Sequence, residues 1–247
     1  MPLTTLVALA TYNEIESLPS LIDAIRTILP AADVRVIDDN SPDGTGRWAD
    51  ERAAVDAQFS VRHRTGKLGL GSAMVAALQS AIEDNYDVVV ILDADWSHPP
   101  ERIAALVELI DAGADVAVGS RYVPGGRSVV WPTSRRVAST LGNTAARSLL
   151  RLPVRDCSGA MRAYRVETLR RIDWSLIRST GYAFLEELLW RLKHAGATFA
   201  EAPITFTERR AGASKINRSE ALGAGGLLLK LGAAERLGRS PRPHQPR

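Results

Sequence analysis

Residues 87–101 read Asp-Val-Val-Val-Ile-Leu-Asp-Ala-Asp-Trp-Ser-His-Pro-Pro-Glu, so five aliphatic residues lead directly into two aspartates. An uninterrupted aliphatic run is typical of a strand that is covered on both faces, as in a parallel sheet between two layers of helices. Ligands of such sheets bind at the carboxyl ends of the strands. We therefore expect Asp93 and Asp95 to face a ligand cleft. Carboxylates two residues apart can converge there on one Mg²⁺ or Mn²⁺ that also binds diphosphate oxygens. A helix cap or a solvated turn is the alternative role for these acids.

Strand and helix patterns alternate on both sides of this stretch. Further short β-forming runs lie at residues 3–10, 34–37, 59–64 and 116–119. Helical patterns separate them, at residues 14–28, 45–57, 71–84 and 99–112. This alternation predicts an α/β fold with a Rossmann-like, mostly parallel sheet, right-handed crossovers and helices on both faces.

The second half of the chain is less regular. Its patterns are an amphipathic helix at 134–150, a short strand at 160–164, a helix at 183–195, an extended segment at 198–206 and an apolar helix at 219–234. We expect one domain over residues 1–232. Residues 233–247 contain several prolines and arginines, which predicts a disordered basic tail.

Charge is distributed unevenly along the chain. The whole sequence has 31 basic and 28 acidic residues, but residues 1–120 hold 19 of the acidic ones and residues 121–171 hold 11 arginines. This asymmetry fits a protein that holds a cation in one part and binds phosphates in the other, and it argues against a nucleic-acid partner. Two solvated faces of opposite sign would give the same distribution.

Composition excludes several other classes of protein. A single cysteine, Cys157, rules out an intrachain disulfide framework and a cysteine-built zinc site. No apolar run reaches the about 20 residues that span a bilayer. The N-terminus lacks the pattern of a signal peptide. We therefore expect a cytoplasmic protein without a transmembrane helix.

Two other predicted strands also end in polar residues. Tyr12 and Glu14 follow the first strand, where a nucleobase could stack on the ring and donate hydrogen bonds to the carboxylate. Asp38 and Asp39 follow the second strand, and a nucleobase N–H is a suitable partner for one of them. Acidic residues at a helix N-terminus and a polar turn are the alternative interpretations.

The glycine loop at residues 66–71 follows the third strand and precedes a helix. Its Lys67 indicates a phosphate site. The glycine spacing departs from both the dinucleotide-binding fingerprint and the P-loop, which argues against a nicotinamide oxidoreductase and a P-loop NTPase.

Taken together, the sequence is similar to the GT-A-fold glycosyltransferases of family 2, and more closely to their polyprenol (dolichol) phosphate mannosyltransferase branch. The resemblance covers residues 3 to about 232. It is carried, in chain order, by Thr11-Tyr12-Asn13-Glu14, residues 38–45, residues 67–73, Asp93-Ala94-Asp95, Ser97-His98-Pro99, Gly119-Ser120-Arg121-Tyr122, Asp156-Cys157-Ser158-Gly159, Arg209 and Ser214-Lys215.

The resemblance implies inverting transfer of mannose from GDP-mannose to a membrane polyprenyl phosphate, with Mg²⁺ or Mn²⁺ as cofactor. The implied nucleotide-sugar residues are Ala10, Tyr12, Glu14, Ile37, Asp39, Asp93, Ala94, Asp95, Arg121, Arg209 and Lys215. The implied metal residues are Asp93, Asp95 and Ser97. Ala10 replaces a proline that is frequent in the family, and Ser97 replaces a glutamine metal ligand, so its shorter hydroxyl would reach the metal through water.

The same resemblance assigns catalytic roles to four residues. Asp95 would hold the cation that stabilises the departing GDP, Arg121 would contact substrate, and Arg209 with Lys215 would neutralise phosphate charge. Glu187 is interpreted as a positioning residue, with an ion pair to Arg191 as the alternative.

A lipid acceptor requires a membrane surface. Arginines alternate with apolar residues over 121–171, which favours an interfacial helix at 134–150 over a core helix with solvated arginines. We expect peripheral binding at the cytoplasmic face of the membrane, and some relatives also use membrane-anchoring partner proteins. Two alternative functions remain open: transfer of glucose from UDP-glucose to the same acceptor, and a non-catalytic nucleotide- or lipid-binding module.

Overall fold

The computed structural model describes residues 3–177, 179, 181, 183–208 and 218–238. Within them the strands are β1 (Thr5–Thr11), β2 (Asp33–Asp38), β3 (Phe59–His63), β4 (Val88–Asp93), β5 (Val116–Ser120), β6 (Arg127–Ser128), β7 (Arg162–Arg165), β8 (Phe199–Pro203) and β9 (Thr205–Phe206). The helices are α1 (Leu18–Ile28), α2 (Thr45–Ala53), α3 (Leu70–Glu83), α4 (Ile103–Asp111), α5 (Thr133–Leu150), α6 (Val166–Leu169), α7 (Phe184–His194) and α8 (Arg218–Arg236).

A mostly parallel sheet organises the fold. In the described part of the chain its order is β3-β2-β1-β4-β7-β5-β8, and a separate pair joins β6 to β9. The five strands predicted in the first half are confirmed as β1 to β5. The strand predicted at 160–164 is β7, which runs antiparallel between β4 and β5 and so separates those two parallel strands.

Both faces of the sheet are buried, as the aliphatic run predicts. Because successive side chains of a strand point to opposite faces of the sheet, β4 contributes side chains to two hydrophobic cores. Val89 and Ile91 pack in the core that includes α3 and α7, whereas Val90 and Leu92 pack in the core that includes α1 and α4. This arrangement confirms the α/β prediction and leaves the strand ends open for function.

Helix α8 is fastened to its neighbours near its C-terminal end. Glu235 accepts hydrogen bonds from Trp190 Nε1 (2.8 Å), Lys193 Nζ (2.7 Å) and His194 Nε2 (2.7 Å) of α7. Burial opposes ionisation of this carboxyl, but these donors outweigh it and lower the pKa of Glu235 to about 2. The helix thus continues four residues past the predicted domain boundary at 232. The rest of the predicted tail, from residue 239 onward, lies outside the described residues.

None of the described helices is both long enough and apolar enough to cross a bilayer.

Candidate active site

The carboxyl ends of β2, β1 and β4 bring the predicted nucleotide-sugar residues into one row. Ala10 of β1 is in register with Ile37 of β2 on one side and with Asp93 of β4 on the other. Neighbouring strands lie about 4.8 Å apart, so these three positions span about 10 Å. Tyr12 and Glu14 continue from β1 on the same edge. The strand register thus places these residues along one edge of the sheet, and their role in binding a nucleotide sugar stays a prediction.

The two adjacent acids after β2 have different roles. Asp38 is buried and accepts hydrogen bonds from Thr11 Oγ1 (3.0 Å), from Ser41 Oγ (2.6 Å) and from Ser41 N (3.1 Å), so it shapes the turn. Asp39 is also buried, but it accepts from Leu68 N (3.1 Å) and forms an ion pair with Arg64 (2.8 Å). Asp39 therefore links β2 to the glycine loop.

Asp39 retains capacity for a ligand. Its Oδ1 lies close to Arg64, yet the pair lacks hydrogen-bond geometry, and Oδ1 makes no hydrogen bond in the part of the chain that the structure describes. Burial raises the pKa of the Asp39 carboxyl, and the opposing Arg64 charge only partly compensates. A ligand N–H directed at Oδ1 would stabilise the ionised form.

The acidic turn after β4 is held in an unusual backbone conformation. Trp96 lies between Asp95 and Ser97 with φ of 62°, in the left-handed region where a bulky residue is an outlier. Its indole Nε1 donates to Ser17 O (3.2 Å) and Ser20 Oγ (3.1 Å) at the start of α1. Ser17 Oγ in turn donates to Ala94 O (2.8 Å). These hydrogen bonds hold Trp96 in its strained backbone conformation, and backbone strain of this kind is common at functional sites.

The residues of this turn fit a divalent cation. Asp95 is buried and accepts a hydrogen bond from Ser97 N (3.0 Å), while Asp93 is half-buried at the mouth of the strand. The Ser97 hydroxyl is buried without a hydrogen-bond partner among the described residues, so it has capacity for a metal-bound water. Among the same residues, no three His, Cys, Asp or Glu side chains could hold a metal by themselves. Mg²⁺ commonly uses one or two carboxylates together with substrate phosphates and water, which this donor set can supply.

Arg121 is rigidly oriented by a buried ion pair. Its Nε donates to Asp156 Oδ2 (2.7 Å), and its Nη2 donates to Asp156 Oδ1 (2.8 Å) and Ser158 Oγ (2.8 Å). Burial opposes ionisation of both partners, but the bidentate bonds outweigh it, so the pKa of Arg121 is raised and the pKa of Asp156 is lowered. Nη1 makes no hydrogen bond to any described residue, and it is the atom we expect to contact substrate. Asp156 lies in one of the motifs that carry the family resemblance, but it is not among the site residues predicted from sequence.

Phe206 of β9 connects Arg121 to the acidic turn. The ring lies 5.3 Å from the Arg121 guanidinium carbon and 5.1 Å, centroid to centroid, from the buried ring of His98. The next residue, Thr207, donates from N to Ser97 O (3.0 Å) and from Oγ1 to Trp96 O (3.1 Å). The chain that leads to residue 209 is thus bonded to the turn. Arg209 and Lys215 themselves lie outside the described residues, and their roles stay predictions.

Two adjacent acids on α7 have contrasting surroundings. Glu187 forms the ion pair with Arg191 (2.7 Å) that was the alternative to a functional role. Glu186 is buried, and its Oε2 has no hydrogen-bond partner within the described ranges. Burial raises the pKa of Glu186 to about 7, although the charge of Arg162 lowers it. Sequence reasoning missed Glu186, because nothing in the residue order separates it from Glu187.

The Glu186→Gln variant is expected to be more stable than the wild type at pH 8. The unfolded carboxyl ionises near 4.5 and the folded one near 7. The contribution of the Glu186 carboxyl to the stability of the wild type is therefore fully present below pH 4.5 and falls by about 3 kcal/mol as the pH rises through 7. Glutamine does not titrate, so the difference in unfolding free energy, measured with urea, should be small at pH 4.5 and large at pH 8. The same difference at both pH values would contradict this assignment.

The sheet order, the strand-end cleft and the acidic turn define a glycosyltransferase of the GT-A type. The chain belongs to glycosyl transferase family 2, whose model matches residues 6–173. An undecaprenyl-phosphate mannosyltransferase from Micrococcus luteus is 48% identical over 212 residues, which cover 86% of this chain and 87% of the relative. A polyprenol monophosphomannose synthase from Mycolicibacterium smegmatis is 46% identical over 216 residues, or 87% and 82% of the two chains.

Solved structures support the fold. The glucosyl-3-phosphoglycerate synthase of Mycobacterium tuberculosis, crystallised with Mn²⁺, UDP and glucosyl-3-phosphoglycerate, superimposes with a TM-score of 0.63. The alignment covers 97% of this chain and 81% of that one at 20% identity, so the likeness shows the fold alone.

Proposed function

We propose that this glycosyltransferase transfers mannose from GDP-mannose to a polyprenyl phosphate and inverts the anomeric carbon. The observation that carries the proposal is the buried acidic turn at the end of β4, with the fixed cation Arg121 connected to it through Phe206. The names of the two relatives support mannose as the sugar and a polyprenyl phosphate as the acceptor.

The acceptor is itself a nucleophile. A phosphate oxygen of the lipid attacks the anomeric carbon, the bond from that carbon to the diphosphate breaks, and its electron pair leaves with GDP. Because a lipid phosphate is already anionic, no side chain has to remove a proton. The bound cation would supply the positive charge that stabilises the leaving diphosphate.

The chain's own residues position the two substrates. Asp93 and Asp95 would hold the cation, and Ser97 would contact it through water. The residues at the ends of β1, β2 and β4 bind the base, ribose and diphosphate of the donor. They are Ala10, Tyr12, Glu14, Ile37, Asp39, Asp93 and Ala94. Arg121 holds one phosphate in a fixed orientation, while Arg209 and Lys215 add positive charge to the donor and acceptor phosphates.

A donor comparison tests the proposal. The purified enzyme is incubated with polyprenyl phosphate and either radiolabelled GDP-mannose or radiolabelled UDP-glucose, with Mg²⁺, Mn²⁺ or a chelator. We expect label in the organic-soluble lipid from GDP-mannose alone, and only with a divalent cation. Preferential transfer from UDP-glucose would replace the donor assignment. Absence of transfer from both donors would favour a binding module.

We further propose that α5 binds the cytoplasmic face of the membrane, alone or with an anchoring protein. Val137 and Leu141 lie one turn apart on α5 and are 52% and 65% exposed, and Val130 just before the helix is 73% exposed. Exposed Arg135 and Arg136 lie beside them, which suits anionic lipid headgroups.

The variant with both Val137→Glu and Leu141→Glu is expected to bind anionic phosphatidylglycerol vesicles at least about tenfold more weakly, because it loses apolar burial and gains repulsion. Vesicle sedimentation measures the effect. Val55→Glu is the matched control, since Val55 is 83% exposed at the end of α2. Equal binding by the double variant and the control would exclude α5 as the contact surface.

A further inference from the structure

Lys67 is placed where a nucleobase would stack. Its ammonium lies over the ring of Tyr12, 4.6 Å from the ring centroid. Both side chains are accessible to solvent, with Lys67 exposed and Tyr12 half-buried. The contact is a solvent-exposed cation–π interaction, which is weak, so an aromatic ligand can displace it.

The loop that carries Lys67 is fastened to the end of β2. Arg64 donates from N to Asp38 O (2.8 Å) and pairs through its side chain with Asp39, while Leu68 N donates to Asp39 Oδ2 (3.1 Å). The loop thus leaves β3, crosses the end of β2 and reaches the residue that follows β1. The position of the Lys67 backbone is restricted, because Arg64 and Leu68, on either side of it in the chain, are bonded to Asp38 and Asp39.

This placement puts Lys67 on the side of the cleft away from the acidic turn. In the sheet, β2 and β1 lie between β3 and β4, so the loop after β3 approaches Tyr12 from the side of β1 that is opposite β4. The loop reaches only as far as Tyr12 above β1, whereas Asp95 follows β4. A nucleoside diphosphate that places its phosphates at Asp95 extends its base toward β2 and Lys67. The phosphate role that the glycine loop indicated from sequence stays a prediction, and contact with the base is the alternative that this placement suggests.

We propose that Lys67 reads the nucleobase of the donor and selects a 6-oxopurine. The base takes the face of Tyr12 that the ammonium now covers, and Lys67 donates a hydrogen bond to the carbonyl oxygen at purine position 6. This inference rests on the proposed GDP-mannose donor and adds a residue that decides which base is accepted.

The chemistry of the surrounding groups complements guanine. Guanine presents acceptors O6 and N7 on one edge and N–H donors at N1 and N2 beside them. Lysine can only donate, whereas the carboxylates of Asp39 and Glu14 can only accept when ionised. Uracil has a single N–H between two carbonyls, so it would place a carbonyl against one of two acids. Glu14 is two residues after Tyr12, and Asp39 N donates to Thr11 O (3.0 Å), so the backbone next to Tyr12 carries both acids. One cation and two carboxylates in this region match guanine better than uracil.

Isothermal titration with paired ligands tests the proposal. One pair is GDP and 2,6-diaminopurine riboside diphosphate, which differ in the carbonyl or amino group at position 6 and in the proton at N1. The other pair is UDP and CDP, which differ in the same way at position 4 and N3. The change in each preference between the wild type and Lys67→Met therefore isolates the part that Lys67 contributes. The proteins are the wild type, Lys67→Met, Lys67→Arg and Arg170→Met. Arg170 is exposed and bonded to Ile82 O and Asn85 Oδ1 near the amino end of β4, so its variant controls for the loss of one charge.

We expect the wild type and Arg170→Met to prefer GDP over the diaminopurine analogue by roughly ten- to a hundredfold, as for a hydrogen bond to a charged donor. Lys67→Met should lose most of that preference through weaker GDP binding, and Lys67→Arg should retain much of it. Equal weakening of all four ligands by Lys67→Met would assign the residue to phosphate, and no weakening would remove it from the site. Both results would overturn the proposal.

The second pair separates this inference from the donor assignment. Should the wild type prefer UDP to GDP, the GDP-mannose donor and the selection of a purine would both fail. If Lys67→Met then lost the preference of the wild type for UDP over CDP, Lys67 would still be shown to contact a carbonyl of the base. Tight GDP binding with an unchanged preference in Lys67→Met would instead leave the donor intact and refute the role of Lys67.

Discussion

Asp95→Asn is expected to lower kcat for lipid-linked mannose by roughly a hundred- to a thousandfold, with the fold intact. The amide has the shape of the carboxylate and can still accept the hydrogen bond from Ser97 N, so the turn is preserved. The amide lacks the negative charge that, in the proposed mechanism, would hold a divalent cation beside the leaving diphosphate. Losses of that size follow the removal of one group that stabilises developing charge in a transition state. Initial rates over a range of Mn²⁺ concentrations measure the effect.

Asp111→Asn is the matched control. Asp111 is exposed at the end of α4, so the same change of charge should leave the rate and its Mn²⁺ dependence as in the wild type. Thermal unfolding of both variants verifies that the fold is kept. Full turnover by Asp95→Asn, or wild-type turnover in a chelator, would refute the metal role of the turn.

The sequence predicts well those strands and helices whose hydrophobic residues follow a clear pattern along the chain. The aliphatic run before Asp93 identifies a strand that is buried on both faces, and the alternation with amphipathic helices identifies the parallel sheet. Once the sheet is parallel, the residues after β1, β2 and β4 must share one edge. The register of Ala10 with Ile37 and Asp93 confirms that inference.

The antiparallel strand β7 illustrates what sequence could not provide. Its direction depends on contacts with residues far away in the chain, and its composition is polar for a central strand. Arg162 is fully buried there, and its Nη1 and Nη2 donate to Leu185 O (2.7 Å) and Cys157 O (2.6 Å), whereas Nε has no hydrogen-bond partner among the described residues. Backbone carbonyls that bind a buried cation cannot be recognised from residue type. The two-residue strands β6 and β9 are too short to produce a pattern.

The candidate site shows the same division. Sequence places two acids after β2, but only the three-dimensional contacts distinguish Asp38, which shapes the turn, from Asp39, which is bonded to the glycine loop. Lys67 reaches Tyr12 across more than fifty residues of chain, so its position over that ring could not be read from the glycine motif. Residue type predicts the available chemistry, whereas long-range packing decides which atoms remain for a ligand.

Arg121 and Asp156 are the clearest case, and they carry the prediction with the largest effect on stability. Asp156→Ala is expected to lower the free energy of unfolding by about 3–5 kcal/mol, because it leaves the Arg121 guanidinium buried without its partner. The wild-type pair should contribute fully above the ordinary pKa of an aspartate. Since the pKa of Asp156 is lowered in the folded state, this contribution is lost only as the pH falls through that lowered value. Urea unfolding at pH 7 measures the loss in the variant.

A double variant separates the structural role of the pair from its role in transfer. Asp156→Leu with Arg121→Met replaces the buried charges by apolar side chains, and such replacements are often neutral for stability. We expect it to recover most of the stability that Asp156→Ala loses, yet to remain at least about a hundredfold below the wild type in kcat/KM, because it lacks the Arg121 cation that we propose binds a substrate phosphate. A stable double variant with wild-type kcat/KM would show that the ion pair only holds β5 against the Asp156 turn. Low activity in a stable protein would instead show that transfer requires the charged pair itself and not only its contribution to stability.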